Sequence, residues 1–175
     1  MKYLIVSDIH GASDSVEALI RIFNEEKCDY ILCLGDILYH GPRNDLPPFY
    51  NPKKVISLLN PLSDKILCVK GNCEAEVDQM VLSFKIHDYL DLDINGKKCH
   101  LEHGHHLDEY KGTPDIILYG HTHITDYHIE NNIIYINPGS ITIPKNGTKR
   151  GYAIMNENKI SVYSLEKNII FQHFF

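Results

Sequence analysis

Five short pieces of the sequence carry side chains able to bind metals or move protons: Asp8-Ile9-His10, Gly35-Asp36, Gly71-Asn72, His103-Gly104-His105 and Gly120-His121-Thr122-His123. Singly, each has a plain structural explanation. An Asp after a strand commonly caps a helix, Gly-Asn commonly turns the chain, and an isolated His is commonly a satisfied polar residue. Jointly they supply carboxylate, imidazole and amide-oxygen donors, the inventory of a site for two divalent ions. Asn and Asp donors without a Cys framework suit an open catalytic site better than a closed structural zinc site. The chain holds 11 His, six of them between His100 and His123, a concentration that asks for a chemical explanation. His121 and His123 are two apart, so a regular strand would point them to opposite faces; to converge they must sit on a turn, which Gly120 permits.

The elements that position these pieces follow from periodicity. The apolar run Tyr3 to Val6 reads as a buried strand opening into the Asp8 loop. A helix follows, with Asp14 and Glu17 as an N-terminal capping pair and Val16, Leu19, Ile20 and Phe23 on one face, ending near Lys27. Tyr30 to Leu34 and Lys65 to Val69 repeat the strand-then-glycine pattern, with a short helix from Pro52 to Leu59 between them. From Tyr89 onward, period-two alternation takes over: Leu90, Leu92 and Ile94, the turn pair Asn95-Gly96, then Cys99 and Leu101. Further strands are expected at Ile116 to Tyr119, Thr125 to Ile129, Ile133 to Ile136, Gly151 to Met155, Ile160 to Ser164 and Ile169 to Phe174. The fold class is therefore α/β, with two packed β-sheets flanked by helices and the five pieces at strand ends, where such sheets gather ligands.

One motif points elsewhere. Asp91-x-Asp93-x-Asn95-Gly96 followed by Glu102 matches a calcium-binding EF-hand loop letter for letter. That loop needs a helix on each side, whereas these residues alternate as a hairpin, so the motif lacks its structural context.

At 175 residues, 43% hydrophobic and 23% charged, the chain can bury one sizeable core, and residues 1–175 are read as a single domain. Lys and Arg total 17 against 23 Asp and Glu, a formal charge of -6, which excludes general attraction to nucleic acid or an anionic membrane. A phosphate-bearing ligand would need a local source of positive charge. Five Cys without a C-x-x-C pair argue against a disulfide framework, and Leu4 to Val6 is far too short an apolar run for a signal peptide, so the expected setting is the cytoplasm. The loop holding Pro42, Pro47 and Pro48 is expected at the surface near the site, and Asn146-Gly147 as a turn.

The ordered set of ligand pieces resembles the calcineurin-like metallophosphoesterase superfamily, over nearly the whole chain. Within it, Leu38-Tyr39-His40-Gly41-Pro42-Arg43-Asn44, Leu46-Pro47, Tyr50, Gly71-Asn72-Cys73-Glu74, Glu76 to Met80, Asn137 to Ser140 and Ile143-Pro144-Lys145 look like the small bacterial YfcE-type phosphodiesterases. The resemblance implies a four-layer sandwich in which Asp8, His10 and His123 hold one metal, Asn72, His103 and His121 a second, and Asp36 bridges them. Two dications less two carboxylates leave about +2, or about +1 with a bridging hydroxide, the local positive charge the chain otherwise lacks. The implied reaction is hydrolysis of a small-molecule phosphodiester by in-line attack of that hydroxide. Mn²⁺ is the favoured ion, with Fe²⁺ or Zn²⁺ as alternatives. A homo-oligomer stays open.

Arg43 is a candidate clamp for phosphate oxygens, the alternative being an arginine solvated on its loop. Two departures from the superfamily pattern stand out. Cys73 follows Gly71-Asn72 where His is usual, and Tyr39-His40 replace the common Asp-Arg pair. A thiol is a poor proton donor to a departing alkoxide, so His105 or His40 would have to substitute. The rival readings are a phosphomonoesterase or protein phosphatase, and a non-catalytic scaffold like the retromer subunit built on this fold.

Overall fold

The computed structural model describes residues 1–175. In chain order the elements are β1 (Tyr3–Val6), α1 (Ser13–Glu25), β2 (Tyr30–Cys33), α2 (Pro52–Leu59), a 3₁₀ turn (Asn60–Lys65), β3 (Ile66–Val69), α3 (Glu76–Val81), β4 (Ile86–His87), β5 (Leu90–Ile94) and β6 (Lys97–Leu101). They continue with a 3₁₀ turn (Leu107–Glu109), β7 (Ile116–Leu118), β8 (Thr125–Glu130), β9 (Ile133–Pro138), β10 (Gly151–Met155), β11 (Lys159–Ser164) and β12 (Ile169–Phe174). A seven-stranded sheet has the order β12-β11-β10-β1-β2-β3-β4, and a five-stranded sheet the order β5-β6-β7-β9-β8. β1 to β4 are mutually parallel, as are β6, β7 and β9.

The pattern of β1 shows why its residues form a central strand. All four are buried, and alternation splits them: Leu4 and Val6 pack with Val16, Leu19, Ile22 and Phe23 of α1, while Tyr3 and Ile5 join the layer between the sheets. That inner layer sets Leu32, Leu34, Val69, Met155 and Val162 against Ile94, Cys99, Leu101, Ile116, Leu118 and Ile136 of the smaller sheet. A strand covered on both faces has no reason to alternate polar and apolar residues, which is why it reads as one apolar run. The outer face of the smaller sheet is covered by the 3₁₀ turn at Leu107–Glu109 and its flanks, where Leu107 and Tyr110 pack on Ile117, Tyr119 and Ile133.

Two local expectations change. Helix α1 begins at Ser13 after Ala12, which offers no side-chain cap. Asp14 instead pairs with Arg150 (Nη1 to Oδ2, 3.0 Å) and Glu17 with Lys54 (2.5 Å). The donors at the helix start find loop partners, Ser13 N–H bonding the Phe49 carbonyl, so a capping pair is unnecessary. Sequence periodicity also missed α3 and the two-residue β4, both too short to declare a period.

The Asn95-Gly96 hairpin stands as read. β5 and β6 pair antiparallel from Ile94–Lys97 to Leu90–Leu101, and both turn residues take positive φ, 53° and 81°. The carboxylates of the calcium-like motif are engaged locally, Asp91 with His100 and Asp93 with the Gly96 N–H.

Candidate metal centre

Parallel strands deliver the donors. Asp8 and His10 follow β1, Asp36 follows β2, Asn72 follows β3, His103 follows β6, and His121 and His123 follow β7, so two sheets aim their C-terminal ends at one place. Just past the strands, the loops remain hydrogen-bonded to each other: Asp8 N–H to Gly35 O, His10 N–H to Asp36 O and Gly11 N–H to Ile37 O. Asp8, His10 and Asp36 within that lattice, and His121 and His123 beside it, all take φ between 49° and 66°. For residues other than Gly the left-handed region costs about 1 kcal/mol or more each, and it persists only where neighbours over-determine it.

Here the sequence-based expectation for Gly120 needs correcting. The turn that brings His121 and His123 together is made by the left-handed backbones of the two histidines themselves, at φ 66° and 61°. Gly120 matters for space: a Cβ there would collide with the Ser7 hydroxyl and lie 3.0 Å from Asp8 Oδ2. Gly71 is required similarly, since a Cβ would strike the Asp36 carboxylate.

The side chains converge tightly. His123 Nε2 lies 3.2 Å from Asp8 Oδ1 and 3.1 Å from His10 Nε2; His10 Nε2 is 3.6 Å and His103 Nε2 3.4 Å from Asp36 Oδ2. His121 Nδ1 sits 2.7 Å from Asn72 Oδ1, and the His103 and His121 rings are 5.2 Å apart. With metal–ligand bonds of about 2.0 to 2.2 Å, neighbouring donors on one ion lie roughly 3 Å apart, the spacing seen here. Three imidazoles are oriented from behind: Nδ1 of His10, His103 and His123 bonds the carbonyls of Tyr39 (2.8 Å), Leu34 (2.6 Å) and Ile143 (2.8 Å). Donating there leaves each Nε2 to face the cluster, the usual support for a metal-bound His.

The fit to divalent ions also shows in what is left unpartnered. Asp8 Oδ1 and His103 Nε2 are buried without a hydrogen-bond partner, although such orphans are rare. They lie 3.9 Å apart in the same cluster and are the atoms that cations would engage. Without ions, the site balances itself internally. Burial pushes the Asp8 carboxyl up, but His10, His123 and His103 outweigh it and hold it well below the carboxylate range. Asp36 is lowered despite burial, chiefly by His103. Burial alone would lower His103, yet Asp36 and Asp8 carry it up to about 9.

Beside the cluster lies a small polar cleft, walled by Asp36, Arg43, Asn72, Cys73, His121 and His123, with Asn44 and Lys145 at its sides. The prolines split: Pro42 lines this cleft while Pro47 is buried. Cys73 Sγ lies within 4.8 Å of ligand atoms of His10 and Asp36, its N–H bonds Asp36 Oδ1, and burial followed by Asp36 pushes its thiol up to about 12. His105 is exposed at the rim, 5.9 Å ring to ring from His121. His40 does not line the cleft; its ring is edge-on to Tyr39 and Tyr50. The histidine concentration divides accordingly, with His100 structural, held between Asp91 and Glu102 and stacked on Tyr110.

Sequence reasoning gave no role to Glu74. Its half-buried carboxylate accepts from the backbone N–H groups of Asp36 (2.9 Å), Ile37 (2.7 Å) and Gly71 (2.5 Å), tying the Asp36 loop to the Asn72 loop. Burial and the neighbouring Asp36 charge raise this carboxyl by more than the three N–H bonds lower it. The available signal was only adjacency to Asn72-Cys73, since sequence does not distinguish a buried glutamate from a solvated one.

Two face-to-face sheets whose strand ends converge on Asp, Asn and His donors are the architecture of a phosphoester hydrolase. The chain belongs to the calcineurin-like phosphoesterase superfamily, whose domain profile matches residues 1–159. It is 37% identical to phosphodiesterase YfcE of Escherichia coli K12 over 98% of this chain and 97% of that one. The solved structure of the E. coli phosphoesterase YfcE superposes with a TM-score of 0.94, covering 99% of this chain and 98% of that chain. Phosphodiesterase MJ0936 of Methanocaldococcus jannaschii is 26% identical over 79% of this chain and 83% of its own length. Vacuolar protein sorting 29 from Cryptosporidium parvum shares the fold alone, at 17% identity, TM-score 0.65 and coverage of 99% and 97%.

Proposed function

We propose that residues 1–175 form one catalytic unit that hydrolyses small phosphate diesters with the help of two divalent ions, Mn²⁺ preferred and Fe²⁺ or Zn²⁺ as alternatives. The observation that carries this is the pair of buried orphans, Asp8 Oδ1 and His103 Nε2, inside a ring of imidazoles oriented from behind by backbone carbonyls. Asp8, His10 and His123 would hold one ion, Asn72, His103 and His121 the other, and Asp36 would serve both. Bound there, the ions supply an activated water near neutral pH and Lewis-acid polarisation of the phosphoryl oxygens. The names of the YfcE and MJ0936 relatives support the diester as substrate.

The protein's own groups define the rest of the chemistry. Asp36, anchored by the Cys73 N–H, stays ionised and fixed between the histidines. Arg43 faces the cleft with no carboxylate partner, free to fork onto phosphate oxygens. Cys73 with its raised thiol is neither nucleophile nor useful acid at neutral pH. Burial and then His103 and His106 lower His105, so it stands neutral at pH 7 and is a weak donor to a departing alkoxide. Good leaving groups are therefore favoured. No helix is long and apolar enough to cross a membrane, and the five thiols are free, which supports a reducing cytoplasm as the setting.

The test compares chelated and Mn²⁺-reloaded protein on bis(p-nitrophenyl) phosphate, an alkyl p-nitrophenyl diester assayed for alkanol release, and p-nitrophenyl phosphate. Activity should require metal and should run fastest on loss of the aryl oxide from the diester. A faster monoester, or rates indifferent to the basicity of the leaving group, would overturn the proposal.

A further inference from the structure

The cleft beside the ligand cluster is charged against the trend of the molecule. The chain as a whole carries -6, yet the only carboxylate lining the cleft is Asp36, and two cations, Arg43 and Lys145, stand in its walls. Neither cation has a carboxylate within ion-pair distance, and both residues are exposed where they border the cleft. Both sit on hydrogen-bonded turns from separate parts of the chain. Arg43 lies between Gly41, whose carbonyl takes the Asn44 N–H, and Asn44, whose side chain bonds the His40 carbonyl at 2.8 Å. Lys145 donates its N–H to the carbonyl of His123 and accepts from Thr148, with Asn146 and Gly147 closing the turn at positive φ. The Lys145 backbone is thus tied to His123 of the cluster and the Arg43 turn is closed on itself, while the charged ends remain uncommitted.

Charge balance makes this surplus informative. The cluster with two dications already matches the single negative charge of a simple diester. With Arg43 on the oxygens of the scissile phosphate, Lys145 is the one cation of the cleft that such a substrate leaves unused. Pro42 is the one apolar residue of the lining, so the cleft offers no surface for a bulky hydrophobic ester group.

Building on the proposed phosphodiesterase activity, we infer that the substrate carries a second phosphate group besides the scissile diester, held by Lys145. An ammonium acts as a compact point charge on a flexible stem, suited to a phosphomonoester dianion that does not react. Lys145 is then a specificity-determining residue, reading a part of the substrate that does not react.

The experiment uses two diesters with the same leaving group: thymidine 5′-(p-nitrophenyl phosphate), and the same compound bearing a 3′-phosphate. The Mn²⁺-loaded protein should show kcat/KM higher for the 3′-phosphorylated ester by about tenfold, with the ratio falling toward 1 in Lys145→Met. Calorimetry gives a readout independent of turnover. The metal-free protein should bind thymidine 3′,5′-bisphosphate more tightly than thymidine 5′-phosphate, and Lys145→Met should erase the difference. Equal kcat/KM for the two esters, with both hydrolysed, overturns the second phosphate and leaves the phosphodiesterase reading standing. Lys145→Met lowering both esters equally also overturns it, placing Lys145 on the scissile phosphate. If neither ester is hydrolysed with metal present, the phosphodiesterase reading fails and takes this inference with it.

Discussion

Removing Glu74 tests whether the candidate metal centre is pre-assembled by one half-buried carboxylate. Glu74→Ala removes the acceptor of the Asp36, Ile37 and Gly71 N–H groups. A buried donor left unpaired costs about 1 to 3 kcal/mol, so three would total about 3 to 9 kcal/mol. Glu74 also borders a surface depression beside Lys70 and Glu76, through which water can re-enter. Losing a buried charge close to Asp36 gives back part of the penalty, so the expected net loss is at the low end, about 3 kcal/mol. That is survivable against a domain stability of about 5 to 15 kcal/mol. Glu74→Gln keeps the shape but puts an NH₂ against one of the three donors, for an expected loss of about 1 to 2 kcal/mol. Urea unfolding of chelated protein measures both. Because the clamp joins the Asp36 and Asn72 loops, Mn²⁺ affinity by calorimetry should fall about tenfold or more in Glu74→Ala and less in Glu74→Gln. If Glu74→Ala unfolds within about 1 kcal/mol of the wild type and binds Mn²⁺ with unchanged affinity, water replaces the carboxylate without penalty and the clamp does not organise the site.

Asp36→Asn should be the most damaging ligand substitution, collapsing a two-site Mn²⁺ isotherm and diester turnover together, because this carboxylate lies between His10 and His103; two intact sites with wild-type turnover would contradict it. Cys73→His should shift activity toward monoesters without abolishing metal binding, as a partly protonated imidazole there favours the more highly charged ester. If Cys73→His keeps its melting point and metal content but not the predicted change in the monoester-to-diester ratio, position 73 does not act on substrate. In metal-free protein, the raised His103 contributes stability that is fully present below its ordinary value of 6.5 and is lost as pH rises toward about 9. The urea midpoint of chelated protein should therefore fall across that interval, and a flat profile would refute the Asp36–His103 pairing.

Legibility tracked how local each feature is. Tyr3 to Val6, the α1 face and the Asn95-Gly96 hairpin were readable because their signals are runs, periods or a required turn dipeptide. The capping pair failed because Asp14 and Glu17 found better partners in Arg150 and Lys54, far away in the chain. The six clustered histidines looked alike in sequence. In the folded chain, His103, His121 and His123 join the cluster, His100 packs between two carboxylates, and His105 and His106 stay at the rim.

By itself the sequence determined which donors exist and that they fall just after strands, because residue chemistry and strand periodicity are written locally. Tertiary structure alone decided that these strand ends meet. The pairing of β1, β2 and β3 in one sheet, the packing of β6 and β7 against it, and the three N–H groups gathered on Glu74 join residues up to a hundred positions or more apart. It also decided that Arg43 and Lys145 share a cleft, and that five of the candidate ligands keep left-handed backbones. Such features depend on long-range hydrogen bonds and excluded space, and no residue's own propensity encodes them.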